Sequence, residues 1–185
     1  MAKTKADLKK KQEGHASKDR EYLKAAFLFC FLAIFLNFIL LVISRRGYLF
    51  FFEIFTTKVA AALIQLSGIE ASMEGNIIHL TNAVWMINTE CTALTIMIIF
   101  ASFVIAYPAS LIAIDLGLLV GIPTIFGANI LRFLIMAWID KLKPEHSEYF
   151  HDYIWQVVFI IMVAFMWIVW IERVVNRETK ASVSG

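Results

Sequence analysis

Charge is scarce in this chain. Asp, Glu, Lys and Arg make up 17% of its 185 residues, hydrophobic residues make up 60%, and mean hydropathy is +0.73. Soluble domains carry about 25% charged and roughly 45–50% apolar residues. An ordinary soluble enzyme and a disordered chain are therefore excluded, which leaves an integral membrane protein. Cysteine is scarcer still: Cys30 lies inside an apolar run and Cys91 at the edge of another, so no disulfide scaffold is built and no bridge between them is expected. The few glycines form no phosphate loop, and no His, Cys, Asp and Glu set has metal-ligand spacing. Neither a metal nor another cofactor is expected. The net charge of +2 conceals an asymmetry, because eight of the 17 Lys and Arg residues fall within positions 1–24. That pattern is not an evenly basic surface for nucleic acid.

What the chain has instead is long apolar runs. A spanning helix needs about 20 such residues, and residues 25–44, 92–107, 109–138 and 154–171 are read as four crossings. The first run is too long for a signal-peptide core and lacks a small-residue cleavage site. It is read as a retained helix, with residues 1–24 as a cytoplasmic tail under the positive-inside rule. The second run is short and either borrows residues from Met86 onward or ends close to Pro108. The third would be about 45 Å long at about 1.5 Å per residue, so a kink or tilt is expected at Pro123 among Gly117, Gly121 and Gly127. Gly117 and Gly121 form a GxxxG pair suited to close helix packing.

Residues 48–66 carry Glu53, Thr57 and Gln65 on one helical face and Phe51, Phe55, Val59 and Ala62 on another. This predicts a helix lying at the membrane interface. Between Gly68 and Asn88, β-branched residues and a Gly75-Asn76 turn signal predict a small extracytoplasmic β-hairpin over about 69–88. Charge parity sets the topology: Arg173, Arg177 and Lys180 place residues 173–185 in the cytoplasm with the N-terminal tail, which requires an even number of crossings. The exception is Arg45 and Arg46, which then lie outside, outvoted by eleven Lys and Arg in the two tails. The expected fold is an all-α polytopic membrane protein. It has four transmembrane helices, an interfacial helix and the hairpin, and residues 25–172 form its membrane domain.

In that order of spans, Cys91 begins the second helix on the outer side. Arg132 lies late in the third helix, and His151 begins the fourth after the loop at 140–150. A thiol, a guanidinium and an imidazole thus reach one membrane face. Arg132 is flanked by Ile130, Leu131, Phe133 and Leu134, and an Arg within a span costs roughly 2.5–3.5 kcal/mol on insertion scales. Such residues usually face the bundle interior and serve a function. The bland alternative is an arginine snorkelling to the interface. Asn129, three residues earlier on the same face, can hydrogen-bond to Arg132. Cys91 follows Asn88-Thr89-Glu90 at a helix start, where a thiol ionises more readily; its bland reading is a small buried hydrophobe. His151, followed by Asp152, sits among the aromatic belt residues Tyr153 and Trp155, and His146 competes for its role. A Cys with a spatially close His is a candidate nucleophile and base, and Arg supplies a fixed charge for a thiolate or oxyanion. A proton path from Asp115 to Arg132 would have only Thr124 and Asn129 between them, which argues against transport.

Cys91-Thr92-Ala93 at a helix start, Tyr107-Pro108 at a turn, Asn129-Ile130-Leu131-Arg132 and then His151 resemble the exosortase/archaeosortase family over about residues 25–172. The short chain is similar to the compact, H-type members. Where the family usually has Cys-Ser-Gly, this chain has Cys-Thr-Ala. The resemblance implies a multi-pass protein of the prokaryotic cytoplasmic membrane, with its active site on the outer face. It further implies a cysteine transpeptidase that cleaves C-terminal sorting signals, each made of a short motif, a transmembrane helix and a basic cluster. Cys91 would attack the carbonyl, Arg132 would stabilise the thiolate or oxyanion, and His151 would protonate the leaving amine. Asn129 would orient Arg132, and Glu90 and Asp152 would tune the charges. The alternative is a non-enzymatic membrane scaffold or assembly factor in which Arg132 pairs with an acid such as Glu90.

Overall fold

The computed structural model describes residues 2–142 and 154–176, with side chains described from residue 19 onward. Helix α1 (Ala2–Arg45) includes the apolar segment Asp19–Arg45. Gly47, at φ +73°, turns the chain into α2 (Phe50–Leu66). Helix α2 ends at Gly68 (φ +86°), whose N–H donates to the Gln65 carbonyl at 3.0 Å while Ile69 N–H reaches the Ile64 carbonyl at 3.4 Å. These two bonds close the helix in the Schellman manner, and the left-handed residue they need is the glycine.

Three antiparallel strands follow in the order β1 (Ala71–Glu74), β2 (Ile77–Leu80) and β3 (Val84–Met86). Gly75-Asn76 forms the two-residue loop between β1 and β2, with Glu74 paired to Ile77 and only Gly75 at positive φ, as a type II′ turn requires. The expected hairpin is thus a three-stranded meander. The sequence 84–86 is too short to register as a strand by itself and is recruited by pairing with Ile77–His79.

The helices α3 (Leu94–Ala106), α4 (Leu111–Leu142) and α5 (Trp155–Trp170) complete the chain, and a π-helical turn, Ile171–Val175, extends α5. Among the described residues, three helices are long and apolar enough to cross a membrane: Asp19–Arg45, Leu111–Leu142 and Trp155–Val175. Helix α3 is apolar but has 13 residues, about 20 Å at about 1.5 Å each. Helix α4 is continuous through Pro123.

Helix α4 is shared by two cores. Its first half packs with Met97, Phe100 and Val104 of α3 and with Val163 and Trp170 of α5. Its second half packs Ile130, Phe133 and Ala137 against Ala60, Ala61 and Ile64 of α2 and Ile78 of the sheet, and Phe126 touches both cores. Contacts advance the same way along α2 and α4, from Phe55 stacked on Phe126 at 5.8 Å to Lys141 Nζ at 3.4 Å from the Gly68 carbonyl. Helix α2 therefore runs lengthwise beside α4. Much of the apolar stripe read from its sequence faces away from α4. Phe51 is 81% exposed and Phe55 46%, whereas Thr56, Thr57, Ala60, Ala61 and Ile64 are buried. Small residues on the packed face allow α2 and α4 to approach closely.

Helices α1 and α3 run antiparallel, with Tyr22 beside Tyr107, Phe29 edge-on to Phe103 and Ser44 hydrogen-bonded to Thr89. The GxxxG glycines face inward: a Cβ at Gly121 would collide with the Phe100 ring, and one at Gly117 would sit 2.6 Å from Trp170 Nε1. Gly121→Ala should therefore destabilise the protein by about 1–3 kcal/mol, read as a lower thermal midpoint in detergent. Gly127→Ala, where nothing lies within 4 Å, should be neutral or stabilise by about 0.5–1 kcal/mol. Equal midpoints for the two variants would contradict the close α3–α4 contact.

Candidate active site

Cys91 does not open α3. It sits in a separate single 3₁₀ turn, Thr89–Thr92, divided from α3 by Ala93 at φ 61°, ψ 12°. A left-handed residue cannot continue a helix, so the helix start expected at Cys91 is displaced to Leu94. Ala93 is the only non-glycine residue at positive φ among the described residues. A short 3₁₀ turn has little stability of its own, and this one is held by side chains. Asn88 caps it, its Oδ1 accepting from Cys91 N–H at 3.2 Å. The Thr92 hydroxyl donates to the Thr89 carbonyl at 2.6 Å.

Asn129, at 0% exposure, donates from Nδ2 to the Cys91 carbonyl at 2.8 Å. This corrects its expected role. Asn129 grips the cysteine's backbone rather than Arg132, because three residues' separation on α4 places the amide at the level of the 3₁₀ turn. Arg132, one turn further along α4, lines the same cleft as Cys91, with its guanidinium in interaction range of the Cys91 side chain. Its Cζ also lies 5.3 Å from the centroid of the Phe133 ring. The arginine is half-buried, and its Nε has no hydrogen-bond partner among the described residues.

Cys91, Arg132 and Glu90 line one cleft of about 510 Å³. Strand β3 and Asn88 form one wall, Phe133 and Met136 of α4 a second, and Trp155, Gln156 and Phe159 of α5 a third. Glu90 is exposed at the rim. His151, Asp152 and the competing His146 lie outside the described residues. Cys30 is exposed on α1, away from the cleft. Among the described residues, no three His, Cys, Asp or Glu side chains gather as a metal set.

A second, apolar cavity of about 320 Å³ lies along the same seam between α4 and α5, lined by Phe100, Gly121, Thr124, Met166 and Trp170 among others. Ile96 in the cleft and Phe100 in this cavity are one turn apart on α3. Gly121 to Arg132 on α4 and Phe159 to Trp170 on α5 are each eleven residues, close to three full turns at about 3.6 residues each. Each helix therefore presents one face to both cavities.

The sequence reading missed the 3₁₀ turn, the cap at Asn88, and Trp155 as a cleft wall. Asn before a helical turn is a recognisable cap signal; the other two arise from packing.

The arrangement predicts an activated thiol, since a cation beside a sulfur favours the thiolate. In a Cys30→Ala background, Arg132→Met should slow iodoacetamide alkylation of Cys91 at pH 7 by about tenfold, the equivalent of one unit in thiol ionisation. An unchanged rate would show that the guanidinium does not act on the sulfur.

A family model described as transmembrane exosortase matches residues 17–173. No curated protein and no solved structure matches the chain.

Proposed function

This chain belongs to the transmembrane exosortase family, and on that premise we propose that it is a membrane-embedded cysteine transpeptidase acting on the C-terminal sorting signals of secreted proteins. The observation that carries this reading is the Cys91 side chain in contact with Arg132, on a cleft whose third wall begins four residues after His151. The Cys91 thiolate attacks the scissile carbonyl carbon, and Arg132 stabilises first the sulfur and then the oxyanion. The carbon–nitrogen bond breaks, the leaving amine takes a proton from His151, and a thioester remains on Cys91. An acceptor nucleophile then gives its proton to His151 and attacks the thioester, breaking the carbon–sulfur bond and releasing the Cys91 thiolate.

Asn129 and Asn88 hold the backbone of the nucleophile at both ends, which keeps the sulfur in a near-attack position. Glu90 at the rim and Asp152 beside the base set the local charge. The apolar cavity continuous in helix face with the cleft supports lateral entry from the bilayer, with the substrate's transmembrane helix along the α4–α5 seam and its cleavage motif at Cys91. The sheet closes the cleft from the other side and limits water, favouring transfer over hydrolysis. In this reading the protein lies in the prokaryotic cytoplasmic membrane, with both termini cytoplasmic and the cleft facing outward.

Cys91→Ala, Arg132→Ala and His151→Ala should each abolish processing of a co-expressed substrate bearing a sorting signal, read as a mobility shift on immunoblots. Cleavage retained by the Cys91 variant would end the covalent mechanism. Cleavage retained by the His151 variant but lost on His146→Ala would move the base to His146.

A further inference from the structure

The turn that carries Cys91 has an anchor on its far side, away from the cleft. Thr89 is buried, and its hydroxyl lies 2.7 Å from Glu53 Oε1 on α2 and 2.7 Å from Ser44 Oγ at the end of α1. A hydroxyl has one proton. The carboxylate accepts the Thr89 proton, so the Ser44 hydroxyl must donate to Thr89. The chain Ser44→Thr89→Glu53 therefore has a determined direction and ends on a charged acceptor, the stronger class of hydrogen bond.

We propose that Glu53, acting through Thr89, is the positioning residue for the Cys91 nucleophile. Beyond the Asn88 cap and the Thr92–Thr89 bond within it, the turn is tied to two separate helices: Asn129 of α4 holds the Cys91 carbonyl at 2.8 Å, and Glu53 of α2 holds the Thr89 side chain. A single 3₁₀ turn has no cooperative reserve, so with one anchor gone it drifts and the sulfur leaves Arg132. Displacement of about 1 Å at a reacting group is enough to lower rates about 10²-fold. Among the described residues, the ionisable groups that share the cleft with the sulfur are Glu90 of its own turn and Arg132 of α4. Neither changes in the variants below. The inference rests on the catalytic reading of Cys91, but its test does not need a substrate.

The test is iodoacetamide alkylation of Cys91 in the full-length, detergent-purified protein with Cys30→Ala. Thr89→Val, which keeps shape and removes both hydrogen bonds, should slow alkylation at pH 7 by about tenfold, the equivalent of one unit of thiol ionisation. The rate at pH 10, where thiols ionise regardless of neighbours, should stay within twofold of the parent. Glu53→Leu should reproduce this loss, whereas Glu53→Gln, which still offers an acceptor oxygen, should restore most of the rate. A Thr89→Val protein with parental thermal midpoint and a pH 7 rate within twofold of the parent would overturn the proposal. If Thr89→Val does not fold, equal rates for Glu53→Leu and Glu53→Gln would overturn it. Slowed alkylation in a protein that processes no sorting signal even with its native side chains would leave the positioning role standing and refute the transpeptidase reading instead.

Discussion

A guanidinium placed partway along a membrane-length helix must find an acceptor or reach water. In this chain Arg132 meets a sulfur. The approach brings α4, the longest of the apolar helices among the described residues, to the short turn before α3. The cation favours the ionised thiol, and the ionised thiol gives the cation a partner in a poorly solvated cleft. The proximity offsets part of what burial costs the guanidinium, and it is the feature on which the proposed nucleophile rests.

The turn around Cys91 follows a related logic. Backbone groups near a membrane interior need partners, and here side chains provide them: Asn88 for the cysteine N–H and Asn129 for its carbonyl. Those bonds fix the sulfur's position as a by-product of satisfying the backbone. Ala93 in the left-handed region separates the turn from α3, so Cys91 stands on a distinct element at the cleft instead of lying along a helix flank.

Helix α4 organises the rest. Its first half is packed through glycines against α3 and α5, and its second half lies beside α2 and the sheet. The helix faces that line the reactive cleft continue, turn by turn, into the apolar cavity between α4 and α5. A ligand arriving within the bilayer would thus meet an apolar seam that leads to polar chemistry without leaving the protein surface.

Composition and apolar runs were enough to establish a helical membrane protein, because burial in lipid demands long uninterrupted apolar stretches that are visible residue by residue. The Gly75-Asn76 turn was equally legible, since it depends on local backbone preference. An Arg among Ile and Leu marked a position that must face a cleft for the same reason, its desolvation penalty being local, and Arg132 lines one. The inward face of α2, the third strand and the contacts of Asn129, Thr89 and Glu53 were decided only by tertiary structure. In lipid, apolarity does not distinguish inside from outside, and a hydrogen bond between residues 36 or 38 positions apart leaves no periodic trace in the chain. Which side chains approach the Cys91 turn depends on how α2 and α4 dock, and that docking is set by small-residue contacts that no single segment encodes.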